Sequence, residues 1–577
     1  MNEFVMYLNS MNSAKSGNMN TLAESQLMSN YYSKIQVKRE ISNTLTRYLK
    51  DRNSREAIIL TGHAGDGKTS ILIQVLEDIG YFDNGKRPLK IEEEFNGLYY
   101  IKDMSELSFQ QQKELLWKFL NCGKNNKSAI IVSNTGPIIN TFKDLFKGEL
   151  SEEEIEKKIL KAIETTKGDK IAISKKEDEF SFRMVNIANI DNSYMIENIL
   201  KNILNKDLWE ECFSCTNKDK CPIYNNYVDL DANFDEVVRQ IGKLYFWLSE
   251  RGTKLTIRQM LAHITFAMTS NLECEDIVDF ADNLTARRKY SFANGFFGAY
   301  DDSKLRANAL NIKTIKELNL IGLDKKSFGI YDDELFIKEN LSNFPNNIKN
   351  KLRMIIDTSV DSVSSDTSLS LKIRNELRRY LILFGSCNDE SIAIDNEIFG
   401  EPFMYYYRAV TAIENYNKAE IRRLEKIVFV ALYRYFVGVY PMKDEEFLYV
   451  TLRKDFNIVQ NTQMLVARVP KNDIRIVLEP LNEKVEPEKI QSRMVLKIGA
   501  KGRFTISVEF LEYMFKFYDG EVFTNLRPSF SYGISKLKVQ ILKEYKINDE
   551  KITLIVIQND KVHKMGIELI GDEIIVD

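Results

Sequence analysis

The stretch "AIILTGHAGDGKTSILIQVL", residues 57–76, decides the fold of the N-terminal half of the chain. It holds an apolar run typical of a buried strand, then a loop with three glycines, then apolar residues at helical spacing. Residues 62–69 satisfy the pattern G-x-x-x-x-G-K-[ST], in which glycines let backbone N–H groups turn toward phosphate oxygens. The order of strand, glycine loop and helix therefore predicts a nucleotide-binding loop of the P-loop type.

Each residue type in this loop predicts a role in nucleotide binding. The alternative is that residues 62–69 form an ordinary glycine loop that binds no nucleotide. Lys68 is expected to contact the β- and γ-phosphate oxygens, and the Thr69 hydroxyl is expected to bind Mg²⁺. His63 and Asp66 are expected to present their backbone rather than their side chains, so neither is assigned a catalytic role. The predicted ATP-binding set is Gly62, His63, Ala64, Gly65, Asp66, Gly67, Lys68, Thr69 and Ser70.

Hydrolysis of the nucleotide needs polar groups outside the loop, which with Lys68 form the predicted catalytic set. In "GLYYIKDMSEL", Asp103 ends a predicted strand and is expected to hold Mg²⁺, and Glu106 is expected to orient water. Asn134 ends the strand "SAIIVSN" and is expected to hydrogen-bond the attacking water. Arg258, in the first turn of a helix in "RGTKLTIRQML", is expected to contact the γ-phosphate. The alternatives are a solvated turn acid, a turn-forming asparagine and a surface arginine.

The region from residue 55 to about 200 alternates strand-like with helical runs, which is typical of a mostly parallel sheet covered by helices. Only 34 residues separate Thr69 from Asp103, so any strand between them is predicted to be short or absent. A polar strand tip and a helix arginine beside a phosphate loop resemble the AAA+ ATPases. The predicted fold class is α/β: an AAA+-like P-loop NTPase domain with a helical lid, a helical middle region and a mixed β-rich C-terminal domain.

A chain of 577 residues is too long for one hydrophobic core, and five regions are predicted. In the last region, one helix at 509–518 is predicted to interrupt a series of β-type runs. The regions are an N-terminal lead-in and helix (1–54), the α/β nucleotide domain with a cysteine-containing loop (55–235), a helical lid and linker (236–345), a helical middle region (346–444) and a β-rich C-terminal domain (445–577).

Composition and charge narrow the function classes. A net charge of -3 gives no overall basic field that would draw the chain to nucleic acid or membrane. The start "MNEFVMYLNS" lacks the basic and long apolar parts of a secretory signal. The longest apolar stretch, 427–440, contains Arg434 and is too short to span a bilayer. A cytoplasmic protein without membrane association is expected.

Three cysteines crowd one loop, "CFSCTNKDKCP", as Cys212, Cys215 and Cys221. Two thiolates two residues apart suit tetrahedral Zn²⁺, and a third nearby can follow. Cys274 is a possible fourth ligand, whereas His263 lies on an apolar helix face and is interpreted as a core residue. The alternative is a reduced loop without metal.

Contact with DNA, given this net charge, requires local basic clusters, each Lys or Arg adding a salt-dependent contribution to affinity. A solvated face balanced by nearby glutamates is the alternative interpretation of each. An adjacent arginine pair, Arg287 and Arg288, is a candidate for a finger donated to a neighbouring subunit. The basic clusters are Lys372, Arg374, Arg378 and Arg379; Arg422, Arg423 and Lys426; and Lys536, Lys538, Lys543 and Lys546.

Several segments together resemble one family, the DptF-type ATPases of DNA phosphorothioation-dependent restriction systems. Thr135 departs from that resemblance, because an acidic residue is expected after the strand-tip asparagine. The resembling segments are "LTGHAGDGKTSIL", "YYIKDMSEL", "IIVSNTGPI", "MVNIANIDNS", "CFSCTNKDKCPIYNN", "RGTKLTIRQML", "YSFANGFFG" and "FTISVEFLEYMFKFYDGEVFTNLRPSF".

The resemblance implies an ATP-dependent subunit of a bacterial defence assembly that acts on DNA lacking the protective modification. The sequence carries no nuclease or helicase signature, so a partner subunit is expected to supply that activity in trans. A homo- or hetero-oligomer is expected by the same analogy. Two alternatives stay open: a STAND-like signalling switch with slow hydrolysis, and a scaffold in which the nucleotide is structural.

Overall fold

Two compact units make up the chain, one covering residues 1–398 and the other 399–481 and 490–577. None of the helices in the described part combines the length and the apolar composition that a membrane span requires. The computed structural model describes residues 2–12, 27–51, 55–83, 85–148, 151–164, 170–175, 178–188, 190–278, 280, 283–329, 331–332, 346–357, 367–385, 390–411, 418–453, 460–480, 492–500, 502–521, 526–547, 551–570 and 573–576.

A six-stranded sheet organises the first unit, in the order β2-β3-β4-β1-β6-β5. The four central strands run parallel, and the two edge strands β2 and β5 pair antiparallel with their neighbours. The strands are β1 (Ala57–Gly62), β2 (Glu92–Phe95), β3 (Leu98–Ile101), β4 (Ser128–Asn134), β5 (Lys170–Lys175) and β6 (Asp178–Asn186).

Strand β1 is buried along its whole length because both faces of the sheet are covered. Ile59 belongs to the hydrophobic core on one face, together with Ile131 of β4. Ile58 and Leu60 belong to the core on the other face, where helix residues such as Leu72 join them. Successive side chains of a strand point to opposite faces, so a continuous apolar run is what a doubly covered strand needs.

Helices surround this sheet and continue through the rest of the first unit. They are α1 (Glu3–Asn12), α2 (Tyr32–Ile35), α3 (Glu40–Lys50), α4 (Lys68–Asp78), α5 (Phe109–Leu120), α6 (Thr135–Leu145), α7 (Glu152–Glu164), α8 (Ile196–Ile203), α9 (Glu210–Phe213), α10 (Pro222–Ala232), α11 (Phe234–Glu250), α12 (Ile257–Thr269), α13 (Asn283–Lys289), α14 (Phe292–Phe297), α15 (Ser303–Leu310), α16 (Lys313–Ile321), α17 (Asn346–Asp357), α18 (Thr367–Phe384) and α19 (Glu390–Phe399).

The α/β class and the parallel arrangement of the central strands are confirmed. The strand predicted to be short or absent is β2, which has four residues and lies at the sheet edge. The helix predicted at the end of region 1–54 is α3, and the lead-in before it contains a further helix that was not predicted. This helix, α1, buries Phe4, Leu8 and Met11, and it packs against α12.

The second unit is built from antiparallel sheets and four helices among its described residues. One sheet has the order β11-β10-β9 and the other β14-β13-β12-β8-β7. The strands are β7 (Phe447–Thr451), β8 (Thr462–Pro470), β9 (Ile474–Pro480), β10 (Ser492–Ile498), β11 (Gly502–Thr505), β12 (Ile552–Gln558), β13 (Lys561–Ile570) and β14 (Glu573–Val576), and the helices are α20 (Glu401–Thr411), α21 (Lys418–Val437), α22 (Val508–Asp519) and α23 (Pro528–Tyr545).

The β-rich C-terminal region is confirmed, and two details differ from the prediction. Helices α20 and α21 belong to the second unit, which begins at residue 399 and so takes in part of the predicted helical middle region. Two helices rather than one interrupt the strands, because α23 follows α22. The prediction of a single helix missed α23, which buries Phe530, Ile534 and Leu537 on one face.

Candidate nucleotide-binding site

The glycine loop joins the end of β1 to the start of α4 and has the backbone that its sequence requires. Gly65 and Gly67 both have a φ of 89°, in the left-handed region that favours glycine. A Cβ on Gly65 would lie 3.0 Å from the Thr256 hydroxyl, and one on Gly62 would lie 2.9 Å from Ile187. At Gly65 both the conformation and the space exclude a side chain, whereas Gly67 is limited by its conformation and Gly62 by its space.

A buried carboxylate closes this loop. Asp66 is 3% exposed, and its Oδ2 accepts a hydrogen bond of 2.8 Å from the backbone N–H of His63. The guanidinium of Arg39 approaches the carbonyl oxygen of Asp66 at 3.5 Å. The side chain of Asp66 thus shapes the loop, while that of His63 is exposed. The prediction that Asp66 presents its backbone rather than its side chain is wrong, because the side chain makes this contact within the loop.

The ammonium group of Lys68 is buried at the centre of the loop. It donates to the carbonyl oxygens of Gly62 at 3.2 Å and His63 at 2.8 Å, and to Oδ1 of Asn134 at 2.9 Å. Burial lowers the pKa of Lys68, whereas the charges of Asp103 and Asp66 raise it. Lys68 makes these contacts with neutral oxygens, so its positive charge stays available to an anion.

The tips of β3 and β4 lie beside the loop because these strands run parallel to β1. In the register of the sheet Asn134 is the partner of Gly62. Ser105, just after β3, joins two predicted site residues. Its N–H donates to Oδ1 of Asp103 at 2.8 Å, and its Oγ accepts from the N–H of Asn134 at 2.7 Å. The acid and the amide are thus fixed relative to each other.

Helix α12 supplies the opposite side of the site. Thr256 caps it, since its Oγ1 accepts from the N–H of Gln259 at 3.2 Å in a reciprocal capping box. The segment before the helix is held by Asn192, whose Nδ2 donates to the carbonyl of Leu255 at 3.0 Å. Arg258 therefore projects from the first turn of an anchored helix.

These groups surround one cavity of about 390 Å³. Of the predicted nucleotide-binding residues, six line it, whereas Gly62, His63 and Asp66 lie in the loop without lining the cavity. All five predicted catalytic residues line it as well. The predicted residues in the lining are Ala64, Gly65, Gly67, Lys68, Thr69, Ser70, Asp103, Glu106, Asn134 and Arg258.

Half of the cavity lining was missed by the sequence analysis. The segments around α1, α2 and α3 carry no motif, and Ser105 and Lys102 carry no pattern that separates them from surface residues. The one available signal was the helix motif of Arg258, because residues one turn apart on a helix share a face. The missed residues are Met11, Tyr32, Ile35, Gln36, Val37, Arg39, Lys102, Ser105, Ile257 and Leu261.

Comparison with protein-family profiles, with curated proteins and with solved structures gives no match to this chain. The interpretation of the cavity therefore depends on its own residues. Four cations line it, Arg39, Lys68, Lys102 and Arg258, against the carboxylates of Asp103 and Glu106. An excess of positive charge with two carboxylates suits a polyphosphate bound together with a divalent cation.

The cysteine-containing loop lies elsewhere in the first unit. Burial raises the pKa of Cys221 to about 11 and also raises that of Cys212, and the nearby thiol of Cys274 contributes to both shifts. Cys215 is exposed. In the part of the chain that the structure describes, no three His, Cys, Asp or Glu side chains form a group that could hold a metal. The Zn²⁺ site stays a prediction, which elemental analysis of native protein and Cys215→Ser tests.

Several predicted basic residues are held in internal contacts, which corrects their assignment to surface patches. Arg378 pairs with Asp332 at 2.7 Å, and both Arg378 and Arg379 are buried. Lys538 donates to the backbone carbonyl of Thr451. The arginine pair proposed as a finger is also engaged within the chain: Arg288 binds Glu376, and Arg287 donates to the carbonyl of Asp219.

Proposed function

We propose that this chain binds ATP with Mg²⁺ and hydrolyses it in an AAA+-like P-loop domain. One observation carries the proposal: Lys68, Thr69, Asp103, Asn134 and Arg258 line the same cavity, although they come from four separate parts of the sequence. The strand order supports it, because β4 lies between β1 and β3 and sets Asn134 between the phosphate loop and the acid.

The oxygen donors fit the metal that ATP hydrolysis requires. The Thr69 hydroxyl and the Asp103 carboxylate would hold Mg²⁺, since oxygen ligands are the ones this ion prefers. When bound, Mg²⁺ withdraws charge from the phosphate oxygens and so favours cleavage of the terminal phosphate bond. Glu106 is exposed at the edge of the cavity and would accept a proton from the attacking water.

The other residues would position the phosphates and the water. Lys68 would exchange its contacts with the carbonyls of Gly62 and His63 for the β- and γ-phosphate oxygens. Asn134, released from Lys68, would orient the attacking water. Arg258 would contact the γ-phosphate from the α12 side. Loss of that phosphate would remove the link between α12 and the sheet, which gives hydrolysis a conformational consequence.

The proposed cellular role is that of a subunit in a bacterial DNA restriction complex. It rests on the resemblance of the sequence segments to the DptF-type ATPases, with a partner nuclease or helicase and a homo- or hetero-oligomer. In cells that carry such a system, Lys68→Ala is expected to abolish restriction of DNA lacking phosphorothioate linkages. DNA that carries the linkages is expected to be accepted equally with both proteins. Unchanged restriction in the variant would contradict the role.

Steady-state ATP hydrolysis by Lys68→Ala tests the enzymatic proposal directly. Turnover is expected to fall about 10²–10³-fold, because the variant loses a buried charge that contacts the transferring phosphate. Lys118→Ala is the matched control, since Lys118 is an exposed lysine on α5 outside the cavity. The control is expected to keep native turnover.

Two outcomes would replace the proposal. ATP binding without turnover above that of Lys68→Ala, with and without DNA, would favour the scaffold. Slow turnover with an assembly that forms only in ATP would favour the STAND-like switch. Absence of ATP binding by the native chain would remove all three.

A further inference from the structure

A second cavity of about 630 Å³ lies among the helices that follow α12. Its lining comes from the six helices α13 to α18 and from the segments between them. None of the residues that line it lines the first cavity. Three carboxylates and six cations lie in the wall: Asp301, Asp324 and Glu376 with Arg288, Lys289, Arg306, Lys325, Lys372 and Arg379.

Ion pairs fix half of these cations and all of the acids. Arg288 binds Glu376 through two nitrogen atoms at 2.8 and 2.9 Å. Arg379 binds Asp324 at 2.7 Å, and both of these residues are less than 9% exposed. The third pair joins Lys372 to Asp301 at 2.8 Å and is exposed to solvent. The floor of the cavity is thus an internally neutralised polar network.

Three cations of the lining take no part in these ion pairs. Lys289, Arg306 and Lys325 have no ion-pair partner among the residues that the structure describes. Lys289 lies over the ring of Tyr290, with its Nζ 5.0 Å from the ring centroid. Arg306 and Lys325 are exposed at the cavity. A concave surface with uncompensated positive charge concentrates anions, and this one does so in a chain whose net charge is -3.

The remaining lining combines the apolar side chains of Leu284, Phe297, Met354 and Ile373 with polar ones, those of Thr285, Asn294, Asn319 and Asn375. The volume of the cavity suits a small organic ligand, and the three cations without an ion-pair partner among the described residues favour an anionic one. The extended phosphate chain of a nucleic acid is a poorer fit, because its stable binding rests on neutralising many phosphates, whereas this lining has three cations without an ion-pair partner among the described residues.

We propose that this cavity is a second ligand site, which binds a nucleotide-sized molecule carrying at least two phosphate groups. Arg306 and Lys325 contact the phosphates, Lys289 adds charge, and the apolar side chains of the wall receive the uncharged part of the ligand. The network of Arg288, Glu376, Arg379 and Asp324 keeps the wall in place. This site is independent of the proposed ATPase activity.

Equilibrium dialysis with ADP measures the number of sites directly. The native chain is expected to bind two ADP molecules, and Lys68→Ala is expected to bind one. In the Lys68→Ala background, the double variant Arg306→Glu/Lys325→Glu is expected to weaken the remaining site at least thirtyfold, since hydrogen bonds to charged groups contribute about 1.5–3 kcal/mol each. Inorganic pyrophosphate is expected to compete for that site.

The matched control is Lys304→Glu/Lys326→Glu. Lys304 shares helix α15 with Arg306, and Lys326 follows Lys325, but neither lines the cavity. The change in net charge is the same, so the control is expected to keep the affinity of its parent. Circular dichroism of all variants checks that they are folded.

Three results would overturn the proposal. A single ADP site that Lys68→Ala abolishes is the first. Equal loss of affinity in Arg306→Glu/Lys325→Glu and in the control pair is the second, because it indicates a general charge effect. The third is binding of a twelve-nucleotide single-stranded DNA, but not of ADP or pyrophosphate, that depends on Arg306 and Lys325, which would assign the cavity to nucleic acid.

Discussion

The two walls of the nucleotide cavity differ in how they are built. The sheet wall is formed by Asn134 at the end of β4 and by Lys68 and Asp103, which follow β1 and β3. These three strands are adjacent and parallel, so one pattern of pairing brings the residues together. The helical wall takes Met11, Tyr32 and Arg258 from helices and loops far apart in the sequence. The sheet wall holds the groups expected to act on the phosphates, whereas the helical wall is largely apolar apart from its arginines.

This difference predicts that the two walls affect different kinetic constants. Groups aimed at the transferring phosphate stabilise the transition state and change kcat. Groups that hold the nucleotide equally before and during the reaction change KM. Substitutions on the sheet wall are therefore expected to lower kcat, and those on the helical wall to raise KM or to loosen the fold.

Asp103→Asn is expected to have the largest effect. Turnover should fall about 10²–10³-fold, because a neutral amide is a weaker Mg²⁺ ligand than a carboxylate. The Mg²⁺ concentration for half-maximal ATPase activity should rise. Asp83→Asn changes an exposed carboxylate outside the cavity and should behave as native protein. If Asp103→Asn kept the native Mg²⁺ dependence of ATPase activity, the assignment of kcat to the sheet wall and of KM to the helical wall would be contradicted.

The helix that carries Arg258 also carries a buried histidine, which predicts an acid sensitivity of the helical wall. His263 is 0% exposed; its Nδ1 lies 2.8 Å from the hydroxyl of Tyr245, and its Nε2 lies 2.8 Å from the carbonyl oxygen of Phe296. A carbonyl only accepts, so Nε2 carries a proton, and in the neutral ring Nδ1 accepts from the hydroxyl of Tyr245. Burial lowers the pKa of His263 to about 4.

The sign of the pH effect follows from the two pKa values. The unfolded pKa is about 6.5, so the stabilisation is complete above that value and is lost as the pH falls toward 4. Between pH 7 and pH 5 the free energy of unfolding should drop by about 2 kcal/mol, measured by chemical denaturation.

The three histidines of the chain allow a controlled test of this pH effect. His63→Gln/His563→Gln removes the two exposed histidines and should retain the pH dependence. His263→Gln should reduce the pH dependence of the free energy of unfolding. If the double variant lost the pH dependence of the free energy of unfolding, the effect would belong to the two exposed histidines and not to His263.

Arg258→Ala tests which part of the nucleotide the helical wall contacts, because its effects on ATP and on ADP can be compared. Arg258 is the exception on the helical wall because it is expected to contact the γ-phosphate. The kcat should fall, and the KM for ATP should rise about tenfold, because one hydrogen-bonded contact to a charged phosphate is lost. The affinity for ADP should stay within a factor of two, since ADP lacks the γ-phosphate. Arg258→Lys keeps the positive charge, so its KM for ATP should lie between those of the native protein and Arg258→Ala. Equal losses for ATP and ADP would show that Arg258 contacts another part of the nucleotide.

Ser105→Ala has the smallest expected effect and tests whether Ser105 is a positioning residue. Turnover should fall about fivefold with KM unchanged, since the variant loses the hydroxyl that accepts from the N–H of Asn134. Ser105→Thr keeps the hydroxyl and should restore turnover. A rise in KM without a fall in kcat would place Ser105 with the binding groups of the helical wall.

Sequence alone predicted the sheet wall because its signals are local. The apolar run of β1 and the glycines after it fix a loop within a dozen residues, and parallel pairing then places Asn134 beside it. The helical wall depends on which distant helices pack together, as Met11 and Leu261 do around the cavity. Such packing is decided by the shape of the assembled core, which no short pattern records.

The charged residues were harder to predict for the same reason. The cluster Arg378 and Arg379 has the sequence of a surface patch, yet both side chains are buried against acids from other segments. Lys372, on the same helix, lines the second cavity. Whether an arginine faces solvent or a partner acid depends on tertiary contacts, so charge patterns along one helix separate these cases poorly.

The three oxygen atoms around the Lys68 ammonium have a consequence for product release. If the loop binds a nucleotide as proposed, the ammonium group would return to the oxygens of Gly62, His63 and Asn134 when the nucleotide leaves, so that its charge would keep hydrogen-bond acceptors. In the proposed function, nucleotide entry and departure would therefore be exchanges of partners, with a smaller net enthalpy than the contacts with phosphate alone would give. An exchange of this kind favours a moderate affinity and rapid departure of ADP, which suits a protein that cycles over one that stores its nucleotide.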